Sequence, residues 1–139
     1  MSFDTGEMIM TNNMSKEEMK AFIANVNRMN KDSGCPLEIA MDILGGKWRM
    51  RCIGVIAAKD ACRFGEIKRE LPGITNTMLT NTLRDLEQIG LIRREQFNEI
   101  PPHVEYSLTK AGEELFPGIY EWTKWSVKYI DYLKGFQEG

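Results

Sequence analysis

Asn76, Thr77, Thr80, Asn81 and Arg84 recur on one side of a stretch that reads as helix, and no carboxylate joins them before Asp85. A helix face that only meets water ordinarily carries glutamates and lysines. This face carries short hydrogen-bonding side chains and one guanidinium, which are groups that match base edges. Asn pairs bidentately with adenine, Thr donates or accepts and offers its methyl to thymine, and Arg reads guanine or holds a phosphate. Catalysis has thinner support. The only histidine, His103, falls in an expected hairpin loop, exposed and without the partners of a triad or an acid–base pair. Cys35, Cys52, Cys62 and His103 are nowhere paired at zinc-ligand spacing. No enzyme activity, metal or cofactor is therefore expected.

The three cysteines differ in setting. Cys52 lies on the apolar side of a helical stretch and reads as a small core hydrophobe. Cys62, between Ala61 and Arg63, is expected near the surface. Cys35 precedes Pro36, a residue suited to the first position of a helix, which makes Cys35 the expected N-cap. The unpaired amides there favour an anion and lower a thiol's pKa, while nearby Asp32 and Glu38 oppose that effect.

The polar face needs elements to aim it. Ser15 and Glu18 stand in capping-box spacing, and Met19, Phe22, Ile23 and Val26 follow as one apolar stripe, so Ser15–Met29 reads as a helix. A break over Asn30–Gly34 leads to the Pro36 helix, with Leu37, Ala40, Met41 and Leu44 expected inward and Gly45-Gly46 as its stop. Lys47 and Trp48 begin a third helix that turns Trp48, Cys52, Val55 and Ile56 to one side. A short helix marked by Phe64, Ile67 and Leu71 ends at Pro72-Gly73, and Thr75–Ile89 follows with Leu79, Leu83 and Leu86 inward. Leu91–Asn98 and Val104–Leu108 read as two strands, since Val104, Tyr106 and Leu108 alternate with polar residues. Thr109 caps a last helix that Pro117 kinks or restarts, and Ile119, Trp122, Ser126, Tyr129 and Leu133 then repeat at the spacing of a helix-pairing seam. Two helices joined by a tight turn and followed by a hairpin make a helix-turn-helix with a wing. The fold class expected is α+β, mainly helical.

Bulk properties agree with that reading. A chain of 139 residues with 42% hydrophobic and 27% charged residues suits one compact domain with an arm. Net charge is −2, yet residues 47–110 carry eleven basic and eight acidic groups, between acidic flanks. A basic centre suits contact with nucleic acid. The longest apolar or glycine run, Cys52–Ala58, is too short to span a bilayer, no apolar segment marks a secretory signal, and the odd cysteine count fits a reducing cytoplasm.

The motifs Cys35-Pro36-Leu37-Glu38, Leu44-Gly45-Gly46-Lys47-Trp48, Arg63-Phe64-Gly65-Glu66-Ile67, Leu71-Pro72-Gly73-Ile74, Leu83-Arg84-Asp85-Leu86-Glu87 and Pro101-Pro102-His103-Val104-Glu105-Tyr106 occur in that order. Together they resemble the HxlR family of bacterial transcriptional regulators over roughly residues 35–130. The resemblance implies a MarR-like winged helix that binds palindromic operators in double-stranded DNA as a homodimer. Taken with the periodicity read above, it divides the chain into an arm (1–14), an N-terminal dimerisation helix (15–34), a DNA-binding domain (35–110) and a C-terminal dimerisation helix (111–139). Met19, Phe22, Ile23, Val26, Ile119, Trp122, Tyr129 and Leu133 become the expected dimer contacts. Lys47 and Arg49 at a helix start, and Arg94 and His103 on the wing, join the α-helical face as expected DNA contacts. His103 stands where the family usually carries a basic residue. Some members sense electrophiles or oxidants through a cysteine placed like Cys35, by forming intersubunit disulfides. A small-molecule or oxidant effector is thus expected. The same elements would also suit a winged-helix module that binds protein without reading DNA, or a small ligand-binding protein.

Overall fold

A computed structural model describes residues 14–29 and 34–138. All of the expected arm (residues 1–14) except Met14, and all of the break over residues 30–34 except Gly34, lie outside the described residues. The chain divides after Ile43 into two units.

The first unit carries α1 (Lys16–Arg28) and most of α2 (Pro36–Leu44). The Ser15 hydroxyl accepts from the Glu18 amide at 3.1 Å, and the Glu18 carboxylate accepts from the Ser15 amide at 2.9 Å, closing the expected capping box. Within the expected stripe Val26 is buried at 4% exposure, whereas Met19 and Ile23 remain 52% and 45% exposed. Pro36 takes the first helical position of α2, as its fixed φ favours. Leu37 and Met41, expected inward, are exposed, and α2 has no buried residue. Leu37, Ile39, Met41, Ile43 and Leu44 spread apolar groups around most of this helix, so no single face can bury them all.

The second unit carries α3 (Arg49–Lys59), β1 (Ala61–Cys62), α4 (Phe64–Glu70), α5 (Asn76–Gln88), β2 (Ile92–Phe97), β3 (His103–Leu108) and α6 (Lys110–Glu138). The strands form an antiparallel sheet in the order β1-β3-β2. Helix α3 sits at the centre, touching α4, α5, α6, β1 and β3. That is why Ile53 is fully buried beside the expected Cys52 and Ile56: the helix is covered around more than one stripe. Strand β1 had no signal in the sequence, being two residues long. Its pairing of Cys62 with Tyr106 turns Cys62 inward and Ala61 outward, so Cys62 is buried rather than near the surface.

Turns set the angle between the helices. Pro72 and Gly73, the latter at φ +90°, sit between Leu71 and Ile74, whose amide donates to the Leu71 carbonyl at 3.2 Å in the pattern of a type II turn. Leu71 and Ile74 are buried and pin it. At the end of α5, Gly90 at φ +80° closes a Schellman motif: its amide donates to the Glu87 carbonyl and the Leu91 amide to the Leu86 carbonyl, both at 3.0 Å. Thr109 then ties three elements together. Its hydroxyl donates to the Gly90 carbonyl at 2.6 Å and accepts from the Gly112 amide at 3.2 Å, while its own amide donates to the Leu91 carbonyl at 3.1 Å.

Helix α6 runs unbroken through Pro117, so the expected restart does not occur. The missing amide leaves the Glu113 carbonyl without its helical donor, and Glu113 is exposed, so that carbonyl is open to solvent at little cost. Ile119, expected in a dimer seam, is already buried at 8% exposure within the single chain. Close packing around Thr109 makes Gly112 sensitive. A Cβ there would run into the Leu91 carbonyl oxygen, whereas one at Gly54 in α3 would meet open space. Gly112→Ala is expected to lower stability by about 1–3 kcal/mol or more, and Gly54→Ala to raise it by about 0.5–1 kcal/mol. Urea unfolding of both variants checks the pair.

Candidate nucleic-acid interface

Helix α5 is amphipathic in an unusual sense. Leu79, Thr82, Leu83 and Leu86 face the core, and Asn76, Thr77, Thr80, Asn81 and Arg84 are all exposed. Thr75 caps the helix, its hydroxyl accepting from the Met78 amide at 3.1 Å. Thr82 is the only buried polar residue in the core of the described residues, and it is satisfied by donating to the Met78 carbonyl at 2.7 Å. The exposed side chains are therefore not committed to holding the helix. Asn76, Thr77, Thr80 and Asn81 project from its first two turns, the part of a recognition helix that meets base edges, and Arg84 follows in the third.

The basic residues expected around this face have different fates. Lys47 is exposed, and its ammonium lies 4.9 Å from the centre of the Trp48 ring; the Arg51 guanidinium lies 4.8 Å from the same ring. Arg49 is engaged within the fold, its guanidinium 3.4 Å from the Asp85 carboxylate. That pair links the start of α3 to α5 and helps orient the exposed face. Both partners are partly exposed, so its own contribution to stability is about 1 kcal/mol or less. Arg94 on β2 is exposed and lies opposite Tyr106. Arg84 and Arg94 line one groove of about 380 Å³ between α5 and the wing, together with Thr80, Leu83, Glu87 and Tyr106. In the sequence Tyr106 stands out by strand alternation and as part of the double-proline motif, not as a contact residue. The pleat was the available signal, because it puts Tyr106 on the face of the hairpin that carries Arg94.

His103 is not at the tip of the wing. It opens β3, opposite Phe97, and stacks on that ring at 4.7 Å with planes 13° apart. The stack draws it into the ladder and leaves only 16% of its side chain exposed, between Glu99 at 3.8 Å and Glu105 at 3.6 Å. The tip is residues 98–102, which begin with Asn98 and Glu99 and end at the double proline.

The cysteines are all free. Burial pushes the Cys52 thiol up to about 12, against a smaller lowering by Arg51. Burial also raises the Cys62 thiol, helped by Glu66 and opposed by Lys59. Cys35 is half-buried, and its sulfur lies 3.8 Å from the Val26 carbonyl. Among the described residues no group of three or more His, Cys, Asp or Glu side chains could hold a metal ion, and no helix is long and apolar enough to cross a membrane.

Known proteins share this arrangement. Residues 43–134 match the family of HxlR-like helix-turn-helix proteins. The chain is 40% identical over 109 residues to the HTH-type transcriptional regulator YybR of Bacillus subtilis, covering 78% of this chain and 85% of that one. It is 46% identical over 99 residues to YdeP of the same organism, another HTH-type transcriptional regulator, covering 70% and 76%. Among solved structures, a MarR-family protein of Porphyromonas gingivalis W83 aligns with a TM-score of 0.64 at 41% identity, covering 72% of this chain and 97% of that one. The redox regulator HypR in its reduced form aligns with a TM-score of 0.67 at 38% identity, covering 72% and 98%. With the matched helix-turn-helix, the paired strands of the wing and these relatives in agreement, the chain belongs to the HxlR-like helix-turn-helix family of transcriptional regulators.

Proposed function

We propose that this regulator acts as a homodimer that reads a palindromic duplex through the exposed face of α5. The observation that carries the reading is the composition of that face. Asn76, Thr77, Thr80, Asn81 and Arg84 are exposed on a helix whose opposite side is core, and Arg94 flanks them from the wing. Their task is to touch bases and nearby phosphates, with Lys47 and Arg94 holding phosphates. Binding should weaken steeply with salt, as counterion release requires. Arg94→Ala should weaken all sequences alike, and Asn81→Ala should lose discrimination at one or two base pairs, by about 1–3 kcal/mol each. Selection from a random duplex pool, followed by titration of both variants, checks this; an unchanged preference in Asn81→Ala would show the face misassigned.

Dimerisation is supported by apolar surface left wet on α6. Trp122 is 50% exposed, and Trp125, Tyr129, Tyr132, Leu133 and Phe136 are exposed with it, as are Met19 and Ile23 on α1. Patches of this kind on a small protein mark interaction sites. A second copy of the chain would cover them and set two recognition helices about 34 Å apart, one turn of DNA. Sedimentation at micromolar concentration is expected to give a dimer; a monomer would remove both the dimer and the palindrome.

The regulator's effector is proposed to be an oxidant or electrophile acting at Cys35. HypR has been solved in oxidised and reduced forms, and YodB of Bacillus subtilis in diamide-treated and reduced forms. In this chain Cys35 is the cysteine that is not fully buried. The direction of the other two shifts points the same way: a raised pKa keeps Cys52 and Cys62 protonated at pH 8, and the thiolate is the nucleophile. Iodoacetamide at pH 8 is expected to label Cys35 in the native protein, with Cys52 and Cys62 labelled only after unfolding. Mass spectrometry reads the three sites, and native labelling of Cys52 or Cys62 at the rate of Cys35 would remove its distinction.

A further inference from the structure

We propose that Arg84 of α5 and Arg94 of the wing hold one and the same backbone phosphate of the duplex, so that recognition helix and wing grip the DNA through a single shared phosphodiester. The inference rests on the DNA-binding reading above and adds a site to it.

Charge is the first argument. The groove between α5 and the wing brings two guanidiniums, Arg84 and Arg94, to one space of about 380 Å³ with one carboxylate, Glu87. Among the described residues neither arginine is in an ion pair. Like charges lining one groove repel unless an anion lies between them. The groove's formal charge is +1, which a phosphodiester monoanion neutralises. The planar fork of arginine also matches phosphate oxygens geometrically.

Geometry is the second argument. Thr80, Arg84 and Glu87 stand at i, i+4 and i+7, one side of α5. Arg94 and Tyr106 are paired across the hairpin and so share one face of it. The two faces meet in the groove, where the hydroxyls of Thr80 and Tyr106 add donors and Leu83 supplies an apolar wall. The turn at Gly90 fixes the distance from α5 to β2, so the two arginines are presented by one rigid corner.

The hairpin's other face argues by contrast. There Glu95 lies opposite Glu105, Glu99 and Glu105 flank His103 at 3.8 Å and 3.6 Å, and Arg93, opposite Ser107, is the one arginine on that face of the hairpin. Three carboxylates against that one guanidinium leave the face net negative and poor at holding a phosphate. The wing is thus electrically two-sided, and only the side turned to α5 accepts a phosphate.

Shared occupancy makes the two arginines non-additive, which gives the test. Affinity for a selected duplex is measured by fluorescence anisotropy against salt for the parent chain, Arg84→Ala, Arg94→Ala and the double variant. Each single change is expected to weaken binding about tenfold. The double variant is expected to fall within about threefold of the weaker single, with the salt slope lower by about one unit rather than two. Replacing phosphates one at a time by neutral methylphosphonate should reveal one position per half-site at which parent and double variant bind alike. Glu87→Gln should tighten binding severalfold, because it removes the competing carboxylate. Singles whose effects multiply in the double variant, a loss of two slope units, or no such methylphosphonate position would overturn the shared phosphate while leaving DNA binding intact. Absence of salt-dependent binding by the parent chain would instead overturn the DNA-binding reading.

Discussion

The corner built on Thr109 decides how this protein presents itself. One side chain and one amide join the end of α5, the start of β2 and the first turn of α6, through bonds of 2.6–3.2 Å to Gly90, Leu91 and Gly112. Each partner is a backbone group, so Thr109 is the one side chain whose rotation could break these bonds. Gly112 has no Cβ, which lets the helix approach the Leu91 carbonyl closely enough for these bonds to form. Loosening that corner would free the wing from the helix it flanks and shift α6 relative to both. The polar face of α5 and the basic side of the wing are useful to a regulator only when held at a fixed angle, and this corner supplies it.

Around that corner the protein separates two kinds of polar group. Those that build the fold are satisfied internally: Thr75 caps, Thr82 bonds back to Met78, and Arg49 pairs with Asp85. Those on the outer face of α5 have no such duty. A side chain committed to a structural hydrogen bond cannot also read a base without breaking it, and leaving a buried group unpaired costs about 1–3 kcal/mol. Keeping the two sets apart lets the recognition surface be altered at little cost to the fold. The wing follows the same logic by strand alternation, with Arg94 and Gln96 on one face and Glu95 and Phe97 on the other.

Much of the fold was legible in the chain. Ser15 with Glu18 announced α1, Pro36 the start of α2, Pro72-Gly73 the turn before α5, and Gly90 its end. These signals are local. A capping box, a proline at a first helical position and a glycine at positive φ act through the few residues beside them. The exposed face of α5 was legible for the same reason, since a period of 3.6 residues and one buried leucine stripe fix which side chains point out.

Tertiary structure decided the rest, and in each case the partner came from far along the chain. Cys62 is buried because residues 61–62 pair with β3, more than forty residues later, and two residues carry no strand signal of their own. Ile53 is core because α3 is surrounded, which no single stripe could reveal. His103 left the expected tip because Phe97 offered a ring to stack on across the hairpin, and Pro117 stayed within a helix whose neighbouring carbonyl faces water. The meeting of Arg84 with Arg94 was likewise invisible, since it depends on how one turn sets a strand beside a helix. The sequence by itself determined the elements, their ends and the chemistry of their faces, because these are short-range consequences of backbone and side-chain type. Which faces meet was left to packing, where contacts distant in sequence compete for the same buried space.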